Sequence, residues 1–158
     1  MKRKSSSIEC KPSGLLKVYD QSETSEIEKR WMKTFCKNKQ GYNTKDYKWH
    51  IFSGGGFPSV EGDEARAAYQ SHTASQYVVM ANDDELAILT NIRPESCSLS
   101  DYYVFPVNMA WTMAFTHEEG WLGPYFAVHP NIDKLNIENE KQLEKERQKE
   151  IARKKGWC

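Results

Sequence analysis

The clearest alternation along the chain is one of large apolar and small side chains, at residues 109–116. Four large apolar side chains alternate there with four small ones: Met109, Trp111, Met113 and Phe115 with Ala110, Thr112, Ala114 and Thr116. A period of two places successive side chains on opposite faces of a strand. The pattern therefore predicts a strand whose small face lets a helix pack closely or a ligand approach.

Shorter β-rich runs predict further strands. They lie at 47–52, 76–81, 85–91, 101–105 and 124–128, and residues 15–19 predict a short extended piece. In the run 47–52, Trp49 and Ile51 share one face, and His50 and Phe52 share the other. The spacing between the runs 76–81 and 85–91 is typical of a hairpin.

Helical periodicity occurs near the start of the chain. Ser25 precedes Glu28 by three residues, which matches a capping box at a helix start. Ile27, Trp31 and Phe35 then repeat at intervals of four, so they lie on one face of a helix. We predict this helix over residues 26–38.

Two more helices are predicted further along. Asp63 can cap a short alanine-rich helix over residues 64–70. Residues 138–155 contain 12 charged residues out of 18, with Leu143 and Ile151 as apolar anchors. That composition is typical of a solvated helix.

The order of these elements favours an α+β fold. We expect a mostly antiparallel sheet of five or six strands with an N-terminal helix, a short helix and a charged C-terminal helix. The predicted organisation is a flexible tail at 1–14, a single α+β domain at 15–137 and a charged helical tail at 138–158.

The formal net charge of zero is a cancellation between segments. Residues 1–45 carry a net charge of +6, residues 46–133 carry −9, and residues 134–158 carry +3. A neutral total argues against a protein that coats nucleic acid uniformly. The acidic middle instead favours a partner with a basic surface.

The cysteines and the apolar runs indicate a cytoplasmic protein. No apolar run approaches the roughly 18–20 residues that span a membrane, and no apolar stretch typical of a signal peptide follows the basic residues at the N-terminus. The four cysteines, Cys10, Cys36, Cys97 and Cys158, are widely spaced, which predicts free thiols rather than a zinc site. We expect no metal and no cofactor.

The segment from Trp111 to Phe126 is the candidate for chemistry, because a predicted strand leads there into a loop with ionisable and aromatic residues. His117 beside Glu118 has the composition of a general acid–base pair, or of metal ligands together with another histidine. The zincin pattern H-E-x-x-H fails because position 121 is Trp. The expected binding residues are Trp111, Thr116, His117, Glu118, Trp121 and Tyr125. A purely structural role for this loop, with the glycines supplying a turn, remains open.

The same block carries a family resemblance. The motifs W-T-x-x-x-T-H-E at 111–118 and G-P-Y-F at 123–126, with W-H-I-F at 49–52 upstream, resemble domain-of-unknown-function family 4275. The resemblance spans residues 26–128. It implies a single bacterial cytosolic domain, and it implies no activity because the family has none agreed.

Three functions remain open at this stage. The first is a protein-binding role, of the immunity or antitoxin kind, in which an acidic face meets a basic toxin. The second is a small hydrolase-type enzyme that uses His117 and Glu118, although the absence of a nucleophile motif favours a protein that is not an enzyme. The third is a nucleic-acid-associated protein that uses the basic ends.

Overall fold

The computed structural model describes residues 8–36, 48–83, 85–117 and 123–156. The helices are α1 (Gln21–Phe35), α2 (His50–Ser53), α3 (Asp63–Ser71) and α4 (Ile132–Lys154). The strands are β1 (Cys10–Lys11), β2 (Leu15–Val18), β3 (Val60–Glu61), β4 (Tyr77–Ala81), β5 (Ala87–Thr90), β6 (Ser96–Cys97), β7 (Tyr102–Pro106), β8 (Trp111–Phe115) and β9 (Tyr125–Val128). The predicted α+β class is confirmed.

A seven-stranded antiparallel sheet forms the centre of the fold. Its strand order is β2-β5-β4-β7-β8-β9-β3, and β1 pairs separately with β6. The sheet has slightly more strands than predicted, because the two-residue edge strand Val60–Glu61 is too short to show a period. At the other edge, the register of β2 shifts between Leu15 and Lys17, which marks a β-bulge or a similar irregularity.

The helix α1 starts five residues earlier than predicted. Its capping box consists of Asp20 and Glu23: the Glu23 N–H donates to Asp20 Oδ1 at 2.8 Å, and the Asp20 N–H donates to Glu23 Oε1 at 2.9 Å. Ser25 and Glu28 have the same spacing but lie inside the helix. The sequence contains the motif twice, and Asp is as good an N-cap as Ser. The last residues of the predicted helix lie outside the described part of the chain.

The strand predicted at 47–52 is wrong. Residues 50–53 form the helical turn α2, and residue 47 lies outside the described residues. Trp49, Ile51 and Phe52 are 1%, 0% and 4% exposed, respectively. A strand would place neighbours such as Ile51 and Phe52 on opposite faces. A helical turn lets both enter one aromatic cluster, and the burial of both residues therefore explains the helix.

Two hydrophobic clusters lie on opposite faces of the sheet. The first is covered by α1 and α2 and contains Trp31, Phe35, Trp49, Phe52 and Tyr103. The second is covered by α3 and contains Tyr69, Trp111, Met113, Val104 and Phe126. Strands β4 and β7 are buried along their whole length because both of their faces are covered.

The predicted alternation holds from Trp111 onwards, within β8. The prediction is wrong for Met109, which has a φ of +58° and packs in the first cluster, because the chain has not yet entered the strand there. The large residues of β8, Trp111 and Met113, pack in the second cluster, under α3. Its small face receives α1, where the Trp31 indole Nε1–H donates to Thr112 Oγ1 at 3.0 Å. A larger side chain at Thr112 would prevent this approach.

The two terminal segments differ in how they contact the sheet: Ile8, near the N-terminus, is buried in the second cluster, whereas α4 contacts that cluster through its first turn. The predicted C-terminal helix is confirmed as α4, which has no buried residue among those described. Ile132 and Leu135, in its first turn, pack against the second cluster. Near the N-terminus, Cys10–Lys11 forms β1, within the segment 1–14 that we expect to be a flexible tail.

Candidate functional site

Polar side chains meet at one end of the sheet. Asn82 follows β4, Asp101 precedes β7 and His117 follows β8. The registers Ala81↔Tyr102 and Tyr102↔Phe115 bring these three strand ends side by side. The polar cluster is therefore a direct result of antiparallel pairing.

Asp101 is the acceptor at the centre of this cluster. Its Oδ1 accepts hydrogen bonds from Trp49 Nε1 and from the His117 backbone N–H, each at 3.0 Å. The His117 ring Nδ1 lies 3.0 Å from both carboxylate oxygens. The side chain of Asp101 is 10% exposed. The N–H groups directed at it satisfy a carboxylate that is largely removed from water.

The ring of His117 is oriented by this carboxylate. An ionised carboxylate only accepts hydrogen bonds, so Nδ1 carries the proton in the neutral ring. The ring also packs edge-on against Trp49, with centroids 6.1 Å apart, and its side chain is 36% exposed. A carboxylate that fixes the tautomer and the direction of an imidazole is the arrangement found in general bases.

A second network of hydrogen bonds links the ends of β4 and β7 to the residues before α2. The Tyr103 hydroxyl donates to Asn82 Oδ1 at 2.7 Å and accepts from the Trp49 N–H at 3.1 Å. Burial raises the pKa of Tyr103, so its hydroxyl stays protonated and remains a donor. Lys48 is also largely buried, and its Nζ donates to Asn82 O at 3.0 Å and pairs with Glu28 Oε2 at 2.7 Å.

A cavity of about 700 Å³ opens beside His117, on the face of the sheet covered by α3. Arg66 and Glu95 supply charged groups to its wall, and Cys97 supplies a thiol. Tyr102 and Phe115 supply aromatic surface, and their rings are stacked with centroids 4.6 Å apart. The volume is within the usual range for small-molecule sites.

The structure places the predicted site residues in different environments. Trp111, Thr116 and Tyr125 are buried, with exposures of 0%, 5% and 2%. Trp111 stacks on Phe126 with centroids 5.5 Å apart, and its indole N–H has no hydrogen-bond partner among the described residues. Thr116 lines the cavity together with His117.

The other predicted site residues are Tyr125, Glu118 and Trp121. Tyr125 stacks on Trp49 in the first cluster, with centroids 6.1 Å apart. Glu118 and Trp121 lie outside the described residues, so their roles stay predictions. His117 is therefore the predicted site residue that combines partial exposure with a cavity wall.

The sequence motif G-P-Y-F has a steric reason at its first position. Gly123 has a φ of +84°, and a Cβ there would lie 3.0 Å from Thr116 Cγ2. A glycine avoids both the left-handed strain and the contact. It thereby lets the chain enter β9 directly beside the end of β8.

Sequence reasoning missed Asp101 as the partner of His117. It paired His117 with its neighbour Glu118, whereas Asp101 lies 16 residues earlier in the chain. The available signal was the pairing of two predicted strands, because a hairpin from 101–105 to 109–116 brings the residue before the first strand to the end of the second. The register Tyr102↔Phe115 confirms that placement.

Acidic side chains surround the same end of the sheet. We define the acidic edge as Glu61, Asp63, Glu64, Asp83, Glu85 and Asp101, which are six of the eight described acidic residues in the segment 46–133. Glu61 pairs with Tyr125 at the start of β9, and the Gly62 N–H donates to Pro124 O at 2.9 Å. These contacts place the start of α3 beside the other strand ends.

The acidic residues of the hairpin turn bond to neutral groups in the described part of the chain. Gln21 Nε2 donates to Glu85 at 2.6 Å, and Asn82 Nδ2 donates to Asp83 at 3.3 Å. Asp63 pairs with Arg66 at 3.3 Å. Within the described residues these amide donors do not neutralise the carboxylates of Asp83 and Glu85, so the edge there is a source of negative potential.

Neither a metal cluster nor a membrane span is present in the described ranges. No group of three or more His, Cys, Asp or Glu side chains there could hold a metal ion. No helix there is long and apolar enough to cross a bilayer.

A family model matches most of the chain. The family model described as "Domain of unknown function (DUF4275)" matches residues 15–126. The chain belongs to this family. The DUF4275 match begins with β2 and ends within β9, so it includes Asp101, His117 and the acidic edge and leaves β1 and α4 outside. No curated protein and no solved structure matches the chain.

Proposed function

We propose that this protein is a small binding protein whose acidic edge docks on a basic protein surface, as an immunity protein or antitoxin covers a basic toxin. One observation carries the proposal: six of the eight described acidic residues of the segment 46–133 lie at one end of the sheet, and all of them except Asp101 are exposed. Negative charge gathered on one face steers a basic partner and accelerates association.

The dimensions of the acidic edge suit such a partner. It extends over six neighbouring strands, from β5 to β3. With neighbouring strands about 4.8 Å apart, the edge is roughly 24 Å long. A standard interface buries about 800 Å² on each partner, which is a patch of similar width.

The acidic edge is also preorganised. The hydrogen bonds of Tyr103, Asn82 and Asp101 join the strand ends to α2, and the aromatic clusters lie directly behind them. Charges held on a rigid frame lose little conformational entropy when a partner binds. This rigidity favours a docking role over that of a flexible acidic tail.

The test begins with capture of a partner on the tagged full-length chain from a lysate of the source organism. The purified pair is then examined by stopped flow at low and high salt. The edge variant is Glu64→Gln, Asp83→Asn and Glu85→Gln, three exposed residues. We expect association at low salt to slow by about tenfold, because three steering charges are lost.

The matched control removes the same charge elsewhere. Glu140→Gln, Glu144→Gln and Glu146→Gln lie on exposed positions of α4. The control should leave the association rate within about twofold of wild type. Failure to capture a basic partner, or an equal effect of the two triple variants, would refute the proposal.

A second candidate function is general-base catalysis at the cavity, in a small hydrolase-type enzyme. The specific observation in its favour is His117, whose ring is held by Asp101 at 3.0 Å and lines the cavity. The test is hydrolysis of p-nitrophenyl acetate by the full-length chain. Catalysis above the buffer rate that is lost in His117→Gln and retained in His72→Gln would support it. Equal rates in both variants would exclude it.

A further inference from the structure

Two cysteines that are far apart in the sequence face each other across the small sheet. Cys10 in β1 pairs with Cys97 in β6, and their Sγ atoms are 2.7 Å apart. The Ser98 N–H donates to Glu9 O at 2.9 Å, directly beside the pair. This bond has the pattern that flanks a non-hydrogen-bonded pair, in which cross-strand Cα atoms approach to about 4.5 Å. That spacing is within the disulfide range of about 4.4–6.8 Å.

The thiol pair is accessible to small molecules. Cys10 and Cys97 are both partly exposed, and Cys97 forms part of the wall of the 700 Å³ cavity. Cys36, in contrast, is 2% exposed within the first aromatic cluster. Geometry and access together distinguish the pair from a buried structural thiol.

We propose that Cys10 and Cys97 form a reversible dithiol–disulfide couple that exchanges with a low-molecular-weight disulfide, RSSR. The Cys10 thiolate attacks one sulfur of RSSR, and the S–S bond breaks to give a mixed disulfide on Cys10 and RS⁻. Cys97 then loses its proton and attacks Cys10 Sγ, which releases the second RS⁻. Two thiols are oxidised to one disulfide, and RSSR is reduced to two RSH.

The environment of the pair assigns the order of the two attacks. The hydrogen bond between the two thiols lowers the pKa of Cys10 although burial opposes it, and raises the pKa of Cys97 well above its usual range. We assign the first attack to Cys10 on this basis, and the single variants described below test that order. Once Cys10 is in a mixed disulfide, its thiolate charge and hydrogen bond no longer raise the pKa of Cys97, which makes the second attack easier.

The disulfide would link two parts of the chain that the described structure joins only weakly. Strands β1 and β6 have two residues each, and Cys10 and Cys97 are 87 positions apart. Such a bond would fix the wall of the cavity that contains Cys97. This couple is independent of the proposed docking role, because Cys10 and Cys97 do not belong to the acidic edge.

The test uses the full-length chain with Cys36→Ser and Cys158→Ser, so that the pair provides the remaining thiols. The protein is equilibrated with glutathione and oxidised glutathione, quenched with acid, alkylated and analysed by intact and peptide mass spectrometry. We expect loss of both alkylation sites and a Cys10–Cys97 crosslinked peptide, reversed by excess glutathione. Two thiols that remain fully alkylated at every ratio would overturn the proposal.

Single variants separate the two steps. In that background, Cys97→Ser should accumulate a persistent glutathione adduct on Cys10, because no second thiol resolves it. Cys10→Ser should react about tenfold more slowly with oxidised glutathione at neutral pH, because Cys97 is a poor thiolate. Equal reactivity of the two variants would contradict the assigned order of attack, and no adduct on Cys10 would overturn the couple itself.

Discussion

Replacement of Thr112 by Val tests the contact that fixes α1 on the sheet. Thr112 is fully buried on the small face of β8, and its hydroxyl accepts the Trp31 indole N–H at 3.0 Å. Val has nearly the same shape but no acceptor. The substitution therefore leaves the packing in place, but it leaves the buried Trp31 indole N–H without an acceptor.

The expected cost follows from that donor. Trp31 is 0% exposed, so water cannot replace the lost acceptor. A hydrogen bond contributes about 1 kcal/mol net, and a buried donor without a partner costs about 1–3 kcal/mol. We expect Thr112→Val to lower the free energy of unfolding by about 2 kcal/mol, or roughly 4–8 °C in Tm for a chain of this size.

The chain provides a matched control in Thr24. This residue is also buried, at 1% exposure, but its hydroxyl has no hydrogen-bond partner among the described residues. Thr24→Val makes the same chemical change and removes a buried hydroxyl that costs free energy. We expect it to be neutral or to stabilise the fold by about 1 kcal/mol.

The assay is urea unfolding followed by tryptophan fluorescence, with m-values compared to confirm that the transition is unchanged. The prediction is supported if Thr112→Val lowers the urea midpoint of unfolding and Thr24→Val does not. Equal destabilisation by the two variants would mean that the methyl-for-hydroxyl change itself lowers the stability. The loss of the hydrogen bond from Trp31 would then not explain the effect of Thr112→Val.

Three further predictions concern the ends of the strands and α1. Tyr103→Phe should lower the free energy of unfolding, measured in urea, by about 2 kcal/mol, because it leaves the Trp49 N–H without its acceptor. An unchanged free energy of unfolding would mean that water replaces the lost acceptor. Gly123→Ala should cost about 2 kcal/mol or more in the same assay, from the positive φ and the contact with Thr116. The pKa of Glu23 is lowered by its hydrogen bond from a lysine of β2, so its stabilising effect is present above the unfolded pKa and is lost as pH falls through the folded value. Glu23→Gln should therefore destabilise the protein at neutral pH, and its difference from wild type in thermal unfolding should shrink as the pH falls through the folded pKa of Glu23. A difference that stays constant with pH would contradict this.

Local patterns predicted much of the sheet. The hairpin of β4 and β5 follows from two β-rich runs and a short polar turn, and β8 follows from strict alternation. Both signals are contained within a few residues, so they can be recognised without knowledge of the fold. The one-turn helix α2 is different, because Ile51 and Phe52 become buried together only once an aromatic cluster exists around them.

The site depended on contacts that no local pattern contains. His117 was identified from its position after a strand, whereas its partner Asp101 comes from the pairing of β7 with β8. The contact of Cys10 with Cys97 requires two strands of two residues each, which show no period. Local sequence patterns do not show which distant segments pair or in which register, and these contacts depend on that pairing.

The register shift in β2 has a consequence for the behaviour of the protein at high concentration. Leu15, Leu16 and Val18 are exposed along this edge strand, at 52%, 48% and 63%. A flat, apolar edge of this kind would act as a template for another chain. The register shift before Lys17 breaks the regular row of backbone donors and acceptors, and the lysine adds a charge. We expect this interruption and this charge to hinder the pairing of another chain along the edge.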